Sequence, residues 1–362
     1  MRDAEAPIAP PEELITREEL QLAARNHGMP LEALRYDITP VGLHYLLIHY
    51  DIPFVDPDTW KLTITGRVRR ELALSLEDVR TRPATTVPVT MECAGNGRAS
   101  LAPRPISQPW LLEAVSTAEW TGTLLRPILD EAGLEEDALE VVFAGADRGV
   151  DGGQEQDYER SLPVEEATRD DLLLAYEING QPLPPQHGFP LRLIVPRWYG
   201  MAQVKWLRTI TAVAEPFGGY QNVQRYRLRQ EESELGEPLT RMAPRALMVP
   251  PGIPEYLSRT RVAPFGPCRL EGRAWSGGAP IVRVEVSADG GNTWGDADVG
   301  APPAVTAWHP WSFRWEPKEP GAYVLCCRAT DALGDTQPLQ PPWNLGGYAN
   351  NAVQRIAVSV IA

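Results

Sequence analysis

Cys93 is the residue with the most chemistry to offer. It follows a run in which Val87, Val89 and Met91 alternate as in a strand, and it opens a glycine-rich turn, Cys93-Ala94-Gly95-Asn96-Gly97-Arg98. Glycines let a bulky ligand approach the backbone and a nearby guanidinium favours thiolate over thiol, so Cys93 is a candidate nucleophile or metal ligand. A buried, inert cysteine is the alternative, because free cysteine is among the most buried residue types. A second dense stretch runs His187-Gly188-Phe189-Pro190-Leu191-Arg192 and continues at Val204-Lys205-Trp206. A histidine, an arginine and a lysine flanking an apolar strand read as an anion cradle, since guanidinium and ammonium groups suit phosphate oxygens. Scattered surface charges are the alternative there. The four cysteines, Cys93, Cys268, Cys326 and Cys327, offer neither a disulfide framework nor a CxxC spacing for zinc or covalent haem. Cys326 and Cys327 are adjacent in one strand, point to opposite faces and read as structural.

The elements that must position these groups are short. Thirty-six prolines in 362 residues exclude long helical bundles. Helix signals are local: residues 11–26 with Thr16 and Glu19 as a capping box, and residues 122–133 with Leu124, Leu125, Ile128 and Leu129 on one face. WKLTITGRV (60–68) and TTVPVTMEC (85–93) alternate like strands, and LLLAYEI, LRLIVP and VKWLRTITAVA form apolar runs between about Asp170 and Val213. This mixture predicts an α+β domain. At residues 229–256 charge and then proline replace periodicity, which marks a domain boundary. The division is an N-terminal extension over 1–30, a catalytic domain over 31–245 and an all-β sandwich of roughly seven strands over 246–362. Six of the eleven tryptophans fall in this last third and are expected to fill the sandwich core.

Thirty-four basic against 48 acidic residues give a net charge of -14, which excludes a general nucleic-acid or anionic-membrane binder, because phosphate contacts need a basic surface. Any anionic ligand needs a local cluster of arginines. No run of about 18 apolar residues occurs, and the N-terminus is acidic and Pro-rich, without a charged n-region or apolar h-region. The pair Arg69-Arg70 lies too deep for a twin-arginine signal, so a cytoplasmic location is the expectation.

MECAGNGR (91–98), LLLAYEINGQPLPPQHGFPLRLIVP (172–196), GMAQVKWL (200–207) and VRVEVSADGGNTW (282–294), in this order, resemble the sulfite oxidase family of molybdenum enzymes, with similarity over about residues 30–362. The resemblance implies an α+β molybdopterin-binding domain followed by an immunoglobulin-like domain that commonly mediates a homodimer. It implies Cys93 as the thiolate ligand of molybdenum, a soft ligand at a strand end. It implies that His187, Arg192 and Lys205 hold the pterin and its phosphate, that His49 in HYLLIHYDIP faces the cofactor, and that Arg98 is an active-site arginine. Tyr226 in YQNVQRY is the candidate for a tyrosine near the metal, with Tyr220 as its rival.

Two positions depart from the family's pattern. An arginine of its F-Y-V-R-N-H segment is Leu47 here, and an arginine of its W-N-L-R-G segment is Gly346. Each missing guanidinium removes charge-assisted hydrogen bonds worth about 1.5–3 kcal/mol and leaves a more apolar mouth, unless arginines such as Arg197 or Arg160 compensate. The implied activity is oxygen-atom transfer on a molybdenum-molybdopterin cofactor, with sulfite oxidation first and reduction of S-oxides, N-oxides or nitrate as the alternative. A metal-free binding scaffold is the non-enzyme reading. No haem segment is visible, so electrons are expected to pass to or from a separate electron-transfer partner.

Overall fold

In the computed structural model, which describes residues 15–362, the chain begins with a helix that its sequence caps at once. Arg17–Arg25 starts at Thr16, whose hydroxyl accepts from Glu19 N at 3.2 Å while the Glu19 carboxylate accepts from Thr16 N at 2.8 Å. The opening residues of the 1–30 extension, and with them the start of the expected 11–26 helix, lie outside the described residues. The second expected helix is shorter than its pattern: Leu124 ends a strand, and the helix is Leu125–Ala132, burying Leu125, Ile128 and Leu129 before Gly133 stops it.

Two sheets carry the first domain. One has the order β2-β1-β10-β5-β6, from β1 (Lys61–Gly66), β2 (Leu72–Ser75), β5 (Glu140–Asp151), β6 (Gln154–Pro163) and β10 (Leu207–Val213). The other is β3 (Ala84–Glu92), β4 (Val115–Leu124), β7 (Leu173–Ile178) and β8 (Gln181–Pro182), with β9 (Arg192–Ile194) pairing on β7. In β7, Leu174 and Tyr176 enter the large core between the sheets, while Leu173 and Ala175 enter a second cluster with Val89, Met91, Cys93 and Trp120. A strand buried on both faces reads as a continuous apolar run, which is why LLLAYEI does not alternate. This second, smaller core is where Cys93 lies.

The rest of the chain forms two further sheets of four and six strands beginning at Arg245. Seven of their strands are four residues or longer, and the remaining pieces at Ile253–Pro254, Gly295–Asp296 and Asp298–Val299 are two-residue pairings without a period to read. The expectation for the tryptophans is corrected. Trp311 and Trp315 fill the sandwich, but Trp275 and Trp308 join the large core of the first domain. Trp308 Nε1 donates to Asp37 O at 2.8 Å, so these rings bind the two domains together. Trp294 stacks under Arg328 at the sandwich surface, and Trp343 donates to Pro103 O at 2.7 Å.

Candidate functional site

The end of β3 delivers Cys93 to a turn built around Asn96. Asn96 Nδ2 donates to Glu92 Oε1 at 3.0 Å and to Leu112 O at 3.2 Å, and its Oδ1 accepts from Ala114 N at 3.1 Å. Gly97 (φ 88°) supplies the left-handed residue the turn requires. Glu92 is buried and anchors the turn from behind: Arg245 Nη1 donates to it at 2.5 Å and Trp275 Nε1 at 2.9 Å, both from the second domain. Burial pushes the Cys93 thiol up, with Gly95 N–H and Arg98 opposing, so a thiolate here needs a nearby cation.

Behind Cys93 lies a deep chamber. His44, His49, His187, Arg192, Gln203, Lys205, Asp147 and Tyr226 line it together with Cys93. Among the described residues, Arg192 and Lys205 have no carboxylate in hydrogen-bond contact. Arg192 donates to His187 O at 3.0 Å and Gln203 O at 3.4 Å and lies 4.6 Å over the Trp120 ring, leaving its buried Nε without a partner. Lys205 Nζ donates to Leu47 O at 2.9 Å and Gln186 O at 3.0 Å. Burial lowers Arg192 to about 10, and burial with the Arg192 charge lowers Lys205, while burial raises the Asp147 carboxyl. The histidines are held neutral: burial brings His44 to about 4, His49 to about 3 and His187 to about 2. His44 Nε2 and Asp147 Oδ1 are also buried without partners among the described residues.

Towards solvent, Cys93, Leu47, His49 and Tyr226 are shared with a second, open cavity, the mouth. His49 Nε2 lies 2.7 Å from the Tyr226 hydroxyl, which burial holds protonated. Tyr220, the rival, points away: its hydroxyl donates to Asp151 at 3.2 Å, and Arg225 stacks over its ring. Arg98 faces the mouth and not the chamber. Leu47 and Gly346 both line it. Arg160 and Arg197 do not replace them. Arg160 lies behind Tyr226, its guanidinium 5.5 Å over that ring and donating to Gln221 O, and Arg197 sits 3.6 Å from Asp171 in another part of the surface. The mouth instead draws on Arg225, Arg227 and Arg229, against Asp151 and Glu232. Among the described residues, Arg227 is held only by the carbonyls of Leu235 (2.6 Å), Gly236 (2.7 Å) and Asn222 (3.3 Å), with no carboxylate paired to it.

Sequence reasoning brings Cys93, His49, His187, Arg192, Lys205 and Tyr226 to one cavity wall, and Arg98 to the adjoining one. It misses His44, although His44 and His49 share the segment HYLLIHY. It also misses Gln203, whose amide closes both on Val195 O (2.7 Å) and on Val195 N (2.6 Å), the Glu92 anchor, and the three loop arginines.

The chamber fits a pterin cofactor by its donor set. Two cations without carboxylate partners and an orphaned guanidinium nitrogen await an anion, and one buried thiol beside them awaits a cation. No group of three or more His, Cys, Asp or Glu side chains able to hold a metal alone occurs among the described residues, so a metal here must bring most of its ligands with it. The comparisons agree. Residues 49–221 match the oxidoreductase molybdopterin binding domain, and residues 245–361 the Mo-co oxidoreductase dimerisation domain. The chain is 35% identical to sulfite oxidase of Gallus gallus, with 88% of this chain and 72% of that protein covered. It is 34% identical to mitochondrial sulfite oxidase of Rattus norvegicus (90% and 62% covered) and 33% identical to the NAD(P)H nitrate reductase of Hordeum vulgare (89% and 39% covered). It therefore spans less than two thirds of the rat and barley proteins. The sulfane dehydrogenase SoxCD of Paracoccus pantotrophus superposes with a TM-score of 0.79 at 25% identity, covering 100% of this chain and 96% of that one. With both family domains matched in order and Cys93 standing between an anion-ready chamber and an arginine-lined mouth, the chain belongs to the sulfite oxidase family of molybdopterin-dependent oxidoreductases.

Proposed function

We propose that the chain oxidises sulfite to sulfate, SO3²⁻ + H2O → SO4²⁻ + 2 H⁺ + 2 e⁻, and passes the electrons to a separate partner. The observation that carries this reading is the wall shared by the two cavities: Cys93 and Tyr226 separate a chamber suited to an anionic cofactor from a mouth whose guanidinium groups outnumber its carboxylates. When bound, a molybdenum-pterin cofactor supplies the oxygen-atom and two-electron chemistry. The protein's own residues bind and orient. Arg192 and Lys205 would take the phosphate and pterin oxygens, Cys93 would supply a thiolate to the metal, and His187 and His49, held neutral, would donate or accept one hydrogen bond without adding charge. Arg98 would hold the substrate oxyanion and the Tyr226 hydroxyl would orient it. Steady-state turnover of molybdenum-loaded protein with sulfite, nitrate and methyl sulfoxides is the test. Saturable sulfite oxidation, with about one molybdenum per chain by metal analysis, supports the reading, and turnover confined to nitrate or a sulfoxide overturns it.

Nitrate reduction is the second reading. It is favoured by Leu47 and Gly346, because a monoanion needs fewer guanidinium groups than a dianion. We further infer a homodimer through residues 245–361, supported by the dimerisation-domain match, with light scattering after size exclusion as its measurement.

A further inference from the structure

The guanidinium of Arg98 is held on several sides by residues of the segment that departs from the family's pattern. Nε donates to Gly346 O at 3.1 Å and Nη1 donates to Ser107 Oγ at 3.0 Å. The Tyr348 ring centroid is 5.1 Å from Cζ. The backbone of Gly95 packs so close that a Cβ there would lie 2.8 Å from Cζ and both terminal nitrogens, and a Cβ on Gly347 would lie 2.9 Å from Cγ. Nη2 makes no hydrogen bond among the described residues, while Arg98 lines the mouth. Tyr348 is held in turn by Asn344, which accepts from Tyr348 N at 2.9 Å and donates to Tyr348 O at 2.8 Å. Its ring lies against Gly346, where a Cβ would come within 2.2 Å of the ring edge, and 5.2 Å from the Tyr226 ring. The glycine and the tyrosine are therefore one device: the ring occupies the space a side chain at 346 would need. The Tyr348 hydroxyl has no hydrogen-bond partner among the described residues, so it is the ring face that acts.

We propose that Tyr348 is a positioning residue for substrate affinity, its ring clamping Arg98 so that Nη2 alone is presented to an oxyanion in the mouth. This rests on the reading of Arg98 as the oxyanion donor. A freely rotating arginine loses rotamer freedom when it binds, and a pre-clamped one has already lost it, so a single guanidinium can serve where the pattern has more. The cation-π contact holds the plane and the two occupied donors hold the rotation within it.

The test is binding of inorganic sulfate to the full-length protein by calorimetry at low ionic strength, alongside sulfite kinetics of the molybdenum-loaded enzyme, for Tyr348→Phe, Tyr348→Leu, Gly346→Ala and Arg98→Ala. Sulfate affinity should fall about tenfold in Tyr348→Leu, equivalent to ~1.4 kcal/mol, and be retained by Tyr348→Phe. Gly346→Ala, which pushes the ring aside, should match the leucine variant, and sulfite KM should rise by more than kcat falls. Tyr348→Met, unbranched and better able to fill an irregular gap, serves if the leucine variant does not fold. Wild-type affinity in Tyr348→Leu with loss in Arg98→Ala overturns the clamp and leaves the Arg98 reading intact. Equal loss in Tyr348→Phe and Tyr348→Leu overturns it as well, since the hydroxyl would then be the active part. Unchanged affinity in Arg98→Ala overturns both.

Discussion

In the chamber, Arg192 and Lys205 are pinned by backbone carbonyls of His187, Gln203, Leu47 and Gln186, with Arg192 on a short buried strand; in the mouth, Arg225, Arg227 and Arg229 ride on the segment that follows a short helix, Tyr220–Val223, and contains the two-residue strand Arg227–Leu228, paired with Glu237–Pro238. Both regions present positive charge, yet the chamber presents it more deeply buried and fixed, and the mouth presents it beside solvent and partly matched by Asp151 and Glu232. A charge interaction is strong where water is excluded and weak where it is screened. The chamber is therefore suited to hold a resident anion tightly and the mouth to attract and release a transient one. The two meet at Cys93, so that residue gives the sharpest test. Cys93→Ser should lower turnover at least 100-fold, because a hydroxyl is a harder and far less acidic ligand than a thiolate. Its thermal midpoint should stay close to wild type, since one buried atom changes. Activity within about twofold of wild type would remove Cys93 from the chemistry.

The next effect is on stability and breaks the chamber from behind. Glu92 and Arg245 are each 2% exposed in their side chains and bridge the two domains directly before Cys93. Removing one partner of a buried pair leaves the other uncompensated, and Arg245 already has Nε and Nη2 unpartnered. Glu92→Ala should cost ~3–5 kcal/mol in urea unfolding, and the double variant Glu92→Leu with Arg245→Met should recover much of it. A loss under about 1 kcal/mol for the single variant would mean that the anchor is not structural.

How much of this was legible before folding follows the same division. Cys93, His187, Arg192 and Lys205 sit beside strands and turns with their own local signatures, and the chamber draws them from segments whose order and spacing can be read. Glu92, Arg245 and Trp275 carry no such signature, because their partnership joins residues more than 150 positions apart and exists only once the domains pack. Trp275 and Trp308 mislead for the same reason: Trp275 ends one strand of the sandwich and Trp308 directly precedes another, while both rings belong to the other domain's core. In the mouth, Arg229 opens the stretch read as a domain boundary, 229–256, and Arg225 and Arg227 lie just before it, where no period in the sequence shows that the segment folds back over the site.

Acid should act on the chamber before the mouth. His44, His49 and His187 are lowered by burial to about 4, 3 and 2, against 6.5 when exposed. The unfolded chain therefore binds more protons below about pH 6.5, so these groups stabilise the fold fully above that pH and lose the contribution as pH falls. Each accounts for ~1.4 kcal/mol per pH unit, and Asp147, raised by burial, offsets part of it by taking up a proton in the folded state. Urea midpoints should decline steeply from pH 6.5 to 4.5, the slope should flatten in His187→Asn, and Arg227→Ala should leave it unaltered. A flat profile in the wild type would mean that the histidines are not held neutral.

The smallest effect separates the two missing guanidinium positions from each other. Leu47 is half-buried on the wall shared by chamber and mouth, with its carbonyl already engaged by Lys205, so an arginine side chain there can reach the mouth without disturbing the backbone. Gly346 has no such room, because Tyr348 lies within 2.2 Å of where its Cβ would be. Leu47→Arg should lower the sulfite KM by up to about tenfold if ~1.4 kcal/mol is regained, and the gain should shrink with added salt. Gly346→Arg should raise KM by displacing the Tyr348 ring from Arg98, and the double variant should fall short of Leu47→Arg alone. If Leu47→Arg changes nothing while Arg227→Ala raises KM, the loop arginines already fill the space the family's pattern assigns to position 47, and the mouth makes up its charge from a different segment of the chain.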